Sequence, residues 1–212
     1  MKKYRNVVFR KPVDEGIVPV WNENSKILML GSITAVDGMN KGFYYSSGRN
    51  QLWELLDYSL NIDVFMRLKN QLKDNYDLFR NNKITKDEFF SNRSNVKNQF
   101  SKVLLDNNIA MCDVFTECYF NNNSSMDVDI ILNNKEYPYK TSKEIIQNII
   151  DNSKVKLVIV NSKFVEKMFY KMNIKGDFEV KYVISPSPRR GTIEKKKEFW
   201  KDVFNIVNDI GK

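Results

Sequence analysis

Four short apolar runs alternate with stretches of helical spacing along this chain, and that alternation limits the fold more than any other feature. The runs cover residues 26–31, 109–115, 156–160 and 178–184. Apolar runs of this length are typical of buried strands. Strands and helices that alternate through short links predict a mostly parallel sheet with helices on both faces. The sequence therefore predicts an α/β fold.

The stretches between the runs predict the helices. Leucines recur at helical spacing over residues 50–60, and further helices are expected to begin near Thr141, near Ser162 and after Thr192. No internal repeat and no linker divides the chain. We therefore expect a single domain, 1–212.

A polar stretch over residues 62–105, rich in lysine and asparagine, predicts a helical insertion in this domain. Two or three amphipathic helices are expected, with a turn near Asn81 and a new start at Thr85. The scattered charges favour a solvated surface, although the lysines could instead extend a track for DNA.

The charge balance is basic. Lys and Arg number 34 against 26 Asp and Glu, which gives a net charge of +8 and a pI near 9.3. A basic surface attracts polyanions, of which DNA is the commonest. Plain solubility in a lysine-rich proteome is an equally good explanation, so charge supports a nucleic-acid partner without establishing one.

Residue types that are scarce or absent exclude several kinds of site. The chain has no histidine and two cysteines, Cys112 and Cys118. These cannot build a four-cysteine iron–sulfur site, a His/Cys zinc site, or a Ser-His-Asp or Cys-His mechanism. Buried free thiols are the simplest interpretation of the cysteines. We therefore expect no metal, iron–sulfur cluster or other cofactor.

No apolar run approaches the length that crosses a bilayer, and no continuous apolar stretch follows the basic residues 1–5. These features predict a cytoplasmic protein, nucleoid-associated if the source is bacterial. A monomer is expected.

Ligands of parallel sheets bind outside the carboxyl ends of the strands, so the segments that follow the strands are the candidate sites. Gly31-Ser32 follows the first strand, and aromatic residues and Arg49 occur in the loop after it. Small residues let backbone amides approach a ligand, aromatic rings can stack on a base, and Arg49 can meet a phosphate. The alternatives are that Tyr44, Tyr45 and Trp53 are core and that Asn50 only caps a helix.

The last strand leads into a second candidate segment, residues 185–191. Its prolines restrict the backbone, Ser185 and Ser187 offer hydroxyls to phosphate oxygens, and Arg189 and Arg190 supply positive charge. A solvated strand-to-helix loop capped by Thr192 is the alternative.

Taken together, these segments resemble the uracil-DNA glycosylase superfamily, and most of all its hypoxanthine-DNA glycosylase branch. The first motif of that branch reads roughly LGSxPG and then YYxxPRNxFW, and the matching residues are Leu30-Gly31-Ser32, Tyr44-Tyr45, Arg49-Asn50 and Trp53. The later elements ALWDV, SLD, FNG and PSTSP are matched in order by residues 109–115, Ser125-Met126-Asp127, Val160-Asn161-Ser162 and residues 185–188, with Trp200 in the closing helix.

The resemblance implies a three-layer α/β/α enzyme with a four-stranded sheet. Such an enzyme flips a deaminated base, uracil or hypoxanthine, out of DNA and hydrolyses its N-glycosidic bond in base excision repair. By position, Asn50 would be catalytic, and Gly31, Ser32, Tyr45 and Asp113 would bind the base. The residues implied to contact DNA are Arg49, Asn161, Ser185, Ser187, Arg189 and Arg190.

The chain departs from the branch's pattern within the first motif. Thr34-Ala35 replaces Pro-Gly, so a less rigid backbone is expected there. Ile33 stands where the mismatch-specific branch has a catalytic asparagine, which leaves Asn50 as the motif's candidate. Gly48 replaces the proline before Arg49-Asn50, and Leu52 replaces a phenylalanine. With no acidic base or histidine in this motif, catalysis would depend on positioning and electrostatics, and we expect a slow enzyme.

Two other functions fit the same residues. One is a glycosylase-like module that recognises DNA or a nucleotide without cleaving it. The other is a small-molecule hydrolase in which serines at the strand ends bind a nucleotide phosphate.

Overall fold

A computed structural model of the protein describes residues 6–121, 127–132 and 135–210. The strands are β1 (Val7–Arg10), β2 (Ile27–Gly31), β3 (Ile109–Asp113), β4 (Phe115–Asn121), β5 (Lys140–Thr141), β6 (Leu157–Val160) and β7 (Glu179–Tyr182). The α-helices are α1 (Val36–Lys41), α2 (Leu52–Leu60), α3 (Phe65–Arg80), α4 (Lys86–Asp106), α5 (Lys143–Asp151), α6 (Lys163–Met172) and α7 (Ile193–Ile210).

Four parallel strands form the central sheet in the order β3-β2-β6-β7. They correspond to the four apolar runs of the sequence. Helices cover both faces, so the predicted three-layer α/β/α architecture is confirmed. Since all four strands run the same way, their carboxyl ends meet at one edge of the sheet, where ligands of such folds bind.

The strand side chains alternate between two cores. Ile27, Met29, Ile109 and Met111 face the core that the sheet shares with α2, α3, α4 and α7. Their chain neighbours, among them Leu28 and Leu30, face the core that contains α5 and α6. Both faces of β2, β3 and β6 are buried, so these runs are almost continuously apolar, whereas β7 at the edge includes Glu179 and Lys181.

The protein also contains a small second sheet, which the sequence did not predict. It is antiparallel, in the order β1-β4-β5. The expected strand over residues 109–115 breaks at Val114, whose N–H donates to the carbonyl of Gly31 at 2.8 Å. The chain then leaves the central sheet as β4, so Asp113 lies at the break. β4 buries only Phe115, Cys118 and Phe120 of its seven residues, and it therefore carries a weaker apolar signal than the buried central strands.

The helical insertion contributes to the core. As expected for amphipathic helices, α3 and α4 expose most of their charged side chains and bury one apolar face, which contains Phe65, Leu68, Leu72, Phe100 and Leu104. Phe100 stacks on Phe43 at a centroid distance of 4.7 Å, and Trp53 lies 4.6 Å from Phe100. The new start at Thr85 is confirmed: its hydroxyl accepts the Glu88 N–H at the N-terminus of α4.

Among the residues that the structure describes, no helix combines the length and the apolar character needed to cross a membrane.

Candidate active site at the carboxyl edge of the sheet

Gly31 and Asp113 are the last residues of neighbouring strands, and they are register partners. The Asp113 side chain is buried, and the Thr34 hydroxyl donates a hydrogen bond to its Oδ2 at 2.8 Å. A Cβ on residue 31 would collide with the Tyr45 hydroxyl and with Asp113 Oδ1. The site therefore requires glycine at this position. Thr34, which the sequence marked only as a departure from Pro-Gly, orients the carboxyl group.

Tyr45 and Asn161 close the other side of this site. The Tyr45 backbone has φ = 50°, a left-handed conformation that is costly for a tyrosine. Its hydroxyl lies against Gly31 and accepts a hydrogen bond from Asn161 Nδ2. Asn161 follows β6 directly and is buried. Backbone strain that the surroundings maintain is typical of binding sites.

Burial changes the acid–base chemistry of the Asp113 carboxyl group and the Tyr45 hydroxyl. Removal from water raises the pKa of Asp113 from 3.8 to about 7; the hydrogen bonds from Thr34 oppose this, and the charge of Asp127 adds to it. Burial also raises the pKa of Tyr45 well above 10, with further contributions from Asp113 and Asp127. Asp113 therefore titrates near neutral pH, while Tyr45 stays protonated.

Asp127 also belongs to this site, although the sequence had assigned it no role. Its Oδ2 accepts a hydrogen bond from the Ser162 hydroxyl at 3.0 Å. Ser162 also caps α6 by accepting the Val165 N–H. Ser125 and Met126, the other two residues of the element that resembles SLD, lie outside the described residues.

Asn50 lies just before α2, and its Oδ1 accepts the Leu52 N–H at 2.9 Å. This contact satisfies the first N–H of α2, but Asn50 is not the N-cap residue of the helix: that residue is Gln51, which makes no side-chain cap hydrogen bond. Within the described residues, Asn50 Nδ2 makes no hydrogen bond, so the amide retains a donor for another partner. A catalytic role for Asn50 remains a prediction.

The two segments that the sequence singled out are joined by hydrogen bonds. The Gln51 N–H donates to the Pro186 carbonyl at 3.0 Å. Lys196 Nζ donates to Gln51 Oε1 at 2.6 Å and to the Ser187 carbonyl at 2.7 Å. Ser185 and Ser187 are half-buried, with the Ser187 N–H donating to the Ser185 hydroxyl at 3.3 Å. One continuous surface thus includes both segments.

The other residues singled out in the sequence divide into exposed arginines, one half-buried serine and side chains of the core. Arg189 and Arg190 are exposed in a 3₁₀ turn, Pro188–Arg190, and Arg49 is exposed in the first segment. Ser32 is half-buried, and its carbonyl accepts the Phe115 N–H at 3.0 Å. The side chains that are core, as the alternatives held, are Tyr44, Trp53, Cys112 and Cys118.

Besides Lys41, which pairs with Asp37, sequence reasoning missed two buried lysines, Lys69 in α3 and Lys196 in α7. A signal for both is present in the sequence. Lys69 has Phe65 four residues before it and Leu72 three residues after it, and Lys196 has Trp200 four residues after it. Residues at these spacings share one face of a helix, so each lysine lies on an apolar face. Within the described residues, no cluster of His, Cys, Asp and Glu side chains is arranged to hold a metal ion.

Comparison with known proteins gives a structural likeness. No protein-family model matches the sequence, and no curated protein does. The fold is similar to the solution NMR structure of a Methanosarcina acetivorans protein provisionally described as a uracil DNA glycosylase. The two chains are 18% identical, the TM-score is 0.55, and the match covers 91% of this chain and 96% of the other. This chain therefore has a uracil-DNA glycosylase-like fold.

Proposed function

We propose that this protein is a monofunctional DNA glycosylase that flips a deaminated base, uracil or hypoxanthine, out of DNA and hydrolyses its N-glycosidic bond in base excision repair. One observation carries the proposal. A buried carboxyl group, held by Thr34, faces a Tyr45–Asn161 pair at the edge of the sheet where ligands of this architecture bind. In such a site a buried carboxyl group and a buried amide are available to hydrogen-bond the edge of a base.

In this proposal the buried residues recognise the base. The Asp113 carboxylate accepts the N–H of uracil or hypoxanthine, which cytosine and adenine do not offer in the same form. Tyr45 stacks on the base, Gly31 and Ser32 let it approach the backbone, and Asn161 adds an amide. We assign Asn161 to the base instead of the DNA backbone because its side chain is buried and bonded to Tyr45.

The exposed residues hold the DNA. Ser185 and Ser187 grip phosphates, Arg49 and Arg190 add charge, and Arg189 fills the gap that the flipped nucleotide leaves. Asn50 orients water or stabilises the oxocarbenium-like transition state through its Nδ2. The chain has no histidine, so the rate enhancement would come mainly from positioning and from stabilisation of the departing base. The enzyme acts as a monomer and needs no cofactor.

A non-cleaving DNA-binding module is the second candidate. The hydrogen bond that Asn50 Oδ1 accepts from the Leu52 N–H favours it, because that contact already gives the side chain a structural role. In that function the same residues would hold a base without breaking its bond to the sugar.

A lesion panel separates the candidates. Purified protein is incubated with duplexes that contain uracil, hypoxanthine or xanthine, and alkali then cleaves any abasic sites. We expect strand cleavage on the uracil or the hypoxanthine duplex. Salt-sensitive binding without an abasic site on any duplex would support the binding module instead. Release of base from free nucleosides but not from DNA would indicate a small-molecule hydrolase.

A further inference from the structure

Lys69 and Lys196 are buried, with exposed fractions of 6% and 1%. Across the described part of the chain, no carboxylate forms an ion pair with either ammonium group. Both bond only neutral oxygens. Burial of an ammonium without a counter-ion is costly, so it persists where its hydrogen bonds are needed. Loss of water lowers the pKa of both lysines. The charge of Lys41 lowers the pKa of Lys69 further, and the charges of Glu54 and Asp37 oppose this.

Lys69 hydrogen-bonds the turn that precedes α2, residues 48–51. Its Nζ donates to the carbonyl of Asn50 at 2.6 Å and to the carbonyl of Gly48 at 3.2 Å. The Gly48 N–H donates to Asp37 Oδ2 at 3.2 Å, and Asp37 is itself paired with Lys41 at 2.9 Å. The backbone of Gly48 is therefore fixed at both its N–H and its carbonyl.

The peptide group between Asn50 and Gln51 is fixed at both ends as well. Lys69 binds its carbonyl, and its N–H donates to the Pro186 carbonyl. This arrangement sets the plane of the peptide and with it the direction of the Asn50 side chain. Lys196 fastens the next side chain, Gln51, to the Ser187 carbonyl.

Charge-assisted hydrogen bonds are roughly twice as strong as neutral ones. An ammonium also offers three donors, enough to bind two carbonyls at once. A lysine on a long helix can therefore clamp a turn that lacks regular structure of its own. α3 supplies Lys69 from within the helical insertion, and α7 supplies Lys196.

We propose that Lys69 and Lys196 are positioning residues that lock the 48–51 turn and the Ser187 loop into one arrangement before DNA binds. Their catalytic consequence rests on the proposed function, because the aligned group is the Asn50 amide. The helical insertion thereby takes part in the site through Lys69, without touching the base.

The test compares lysine-to-methionine variants, which keep an unbranched stem but remove the ammonium. Lys69→Met is matched with Lys73→Met, at an exposed lysine of the same helix, and Lys196→Met is matched with Lys201→Met. Single-turnover release of uracil or hypoxanthine should fall about tenfold or more in the two buried variants, since small displacements of a catalytic group are expensive. Affinity for undamaged duplex should change less than about threefold, and the controls should keep the wild-type rate.

Hydrogen exchange provides a readout that does not depend on activity. Peptides that contain the Gln51 amide should exchange about tenfold faster in Lys69→Met than in the wild type, as expected for the loss of a charged hydrogen bond. Peptides that contain β6 should keep their protection, which shows that the variant is folded.

Unchanged exchange at Gln51 or an unchanged release rate in folded buried variants would overturn the proposal. If a methionine variant does not fold, Lys69→Gln and Lys196→Gln retain a neutral donor, and wild-type exchange and release in those variants would equally overturn it. If the wild type excises no base from any duplex, the proposed function fails, and exchange at Gln51 alone decides whether the lysines lock the turn.

Discussion

At the scale of single residues, the candidate site depends on one buried carboxyl group and the groups that surround it. Asp113 was identified from its place after an apolar run, and the structure adds what orients it. The Thr34 hydroxyl occupies Oδ2, while Oδ1 lies beside the surface that Gly31 leaves open to Tyr45. The carboxyl group is therefore held in one orientation, with its second oxygen beside Gly31 and the Tyr45 hydroxyl.

The raised pKa of Asp113 makes the free energy of unfolding depend on pH. Its folded-state pKa of about 7 exceeds the usual 3.8, so the folded protein binds this proton more tightly than the unfolded chain. The stability that this proton provides is complete below about pH 4 and is lost as the pH rises towards 7. Asp113→Asn cannot ionise, and we expect it to raise the melting temperature relative to the wild type by more degrees at pH 8 than at pH 5. An equal difference at both pH values would contradict the buried, protonated state.

Several of these residues could be identified from the sequence because the end of each strand fixes their place. Gly31 and Asp113 end buried strands and Asn161 follows one, and parallel strands bring such positions to one edge. The groups around Asp113 could not be found in this way. The hydrogen bond from Thr34 and the charge of Asp127 depend on how two loops fold at the strand ends, and no local spacing encodes that.

At the scale of elements, the helical insertion is tied to the core more closely than its charge suggests. Its sequence predicted amphipathic helices but not the partners of their apolar face. That face meets the aromatic side chains of Phe43 and Trp53. The small sheet of β1, β4 and β5 was missed because its strands are short or carry a weak apolar pattern: β4 buries only Phe115, Cys118 and Phe120 of its seven residues.

Two phenylalanines of α4 test whether the insertion stabilises the domain. Phe100 is buried between Phe43 and Trp53, whereas Phe90 is exposed. Phe100→Ala should lower the free energy of unfolding by about 3–5 kcal/mol in denaturant titration, because a buried ring is replaced by a cavity. Phe90→Ala should cost less than about 1 kcal/mol. Equal small losses would mean that the insertion folds independently of the core.

At the scale of the whole molecule, we expect positive charge to strengthen DNA binding at the carboxyl edge of the sheet. The exposed arginines of the carboxyl edge make phosphate contacts in the proposed function. Lys154 offers a control, since it is exposed just before β6, at the opposite edge of the sheet.

Arg189→Ala should weaken duplex binding uniformly across sequences and reduce the slope of log K against log salt by about one. Lys154→Ala should leave both quantities unchanged. Fluorescence anisotropy at several salt concentrations measures them. An equal effect of the two substitutions would show that general charge, and not this edge, attracts the DNA.

The central claim is that base release takes place beside Asn50 at the carboxyl edge of the sheet. The most direct measurement compares the wild type with Asn50→Ala on a duplex from which the wild type releases a base. Single-turnover release of the free base and affinity for the duplex are both measured. We predict that Asn50→Ala abolishes base release while its affinity for DNA stays nearly that of the wild type. Release at the wild-type rate by the folded variant would contradict it and would place the catalytic group elsewhere.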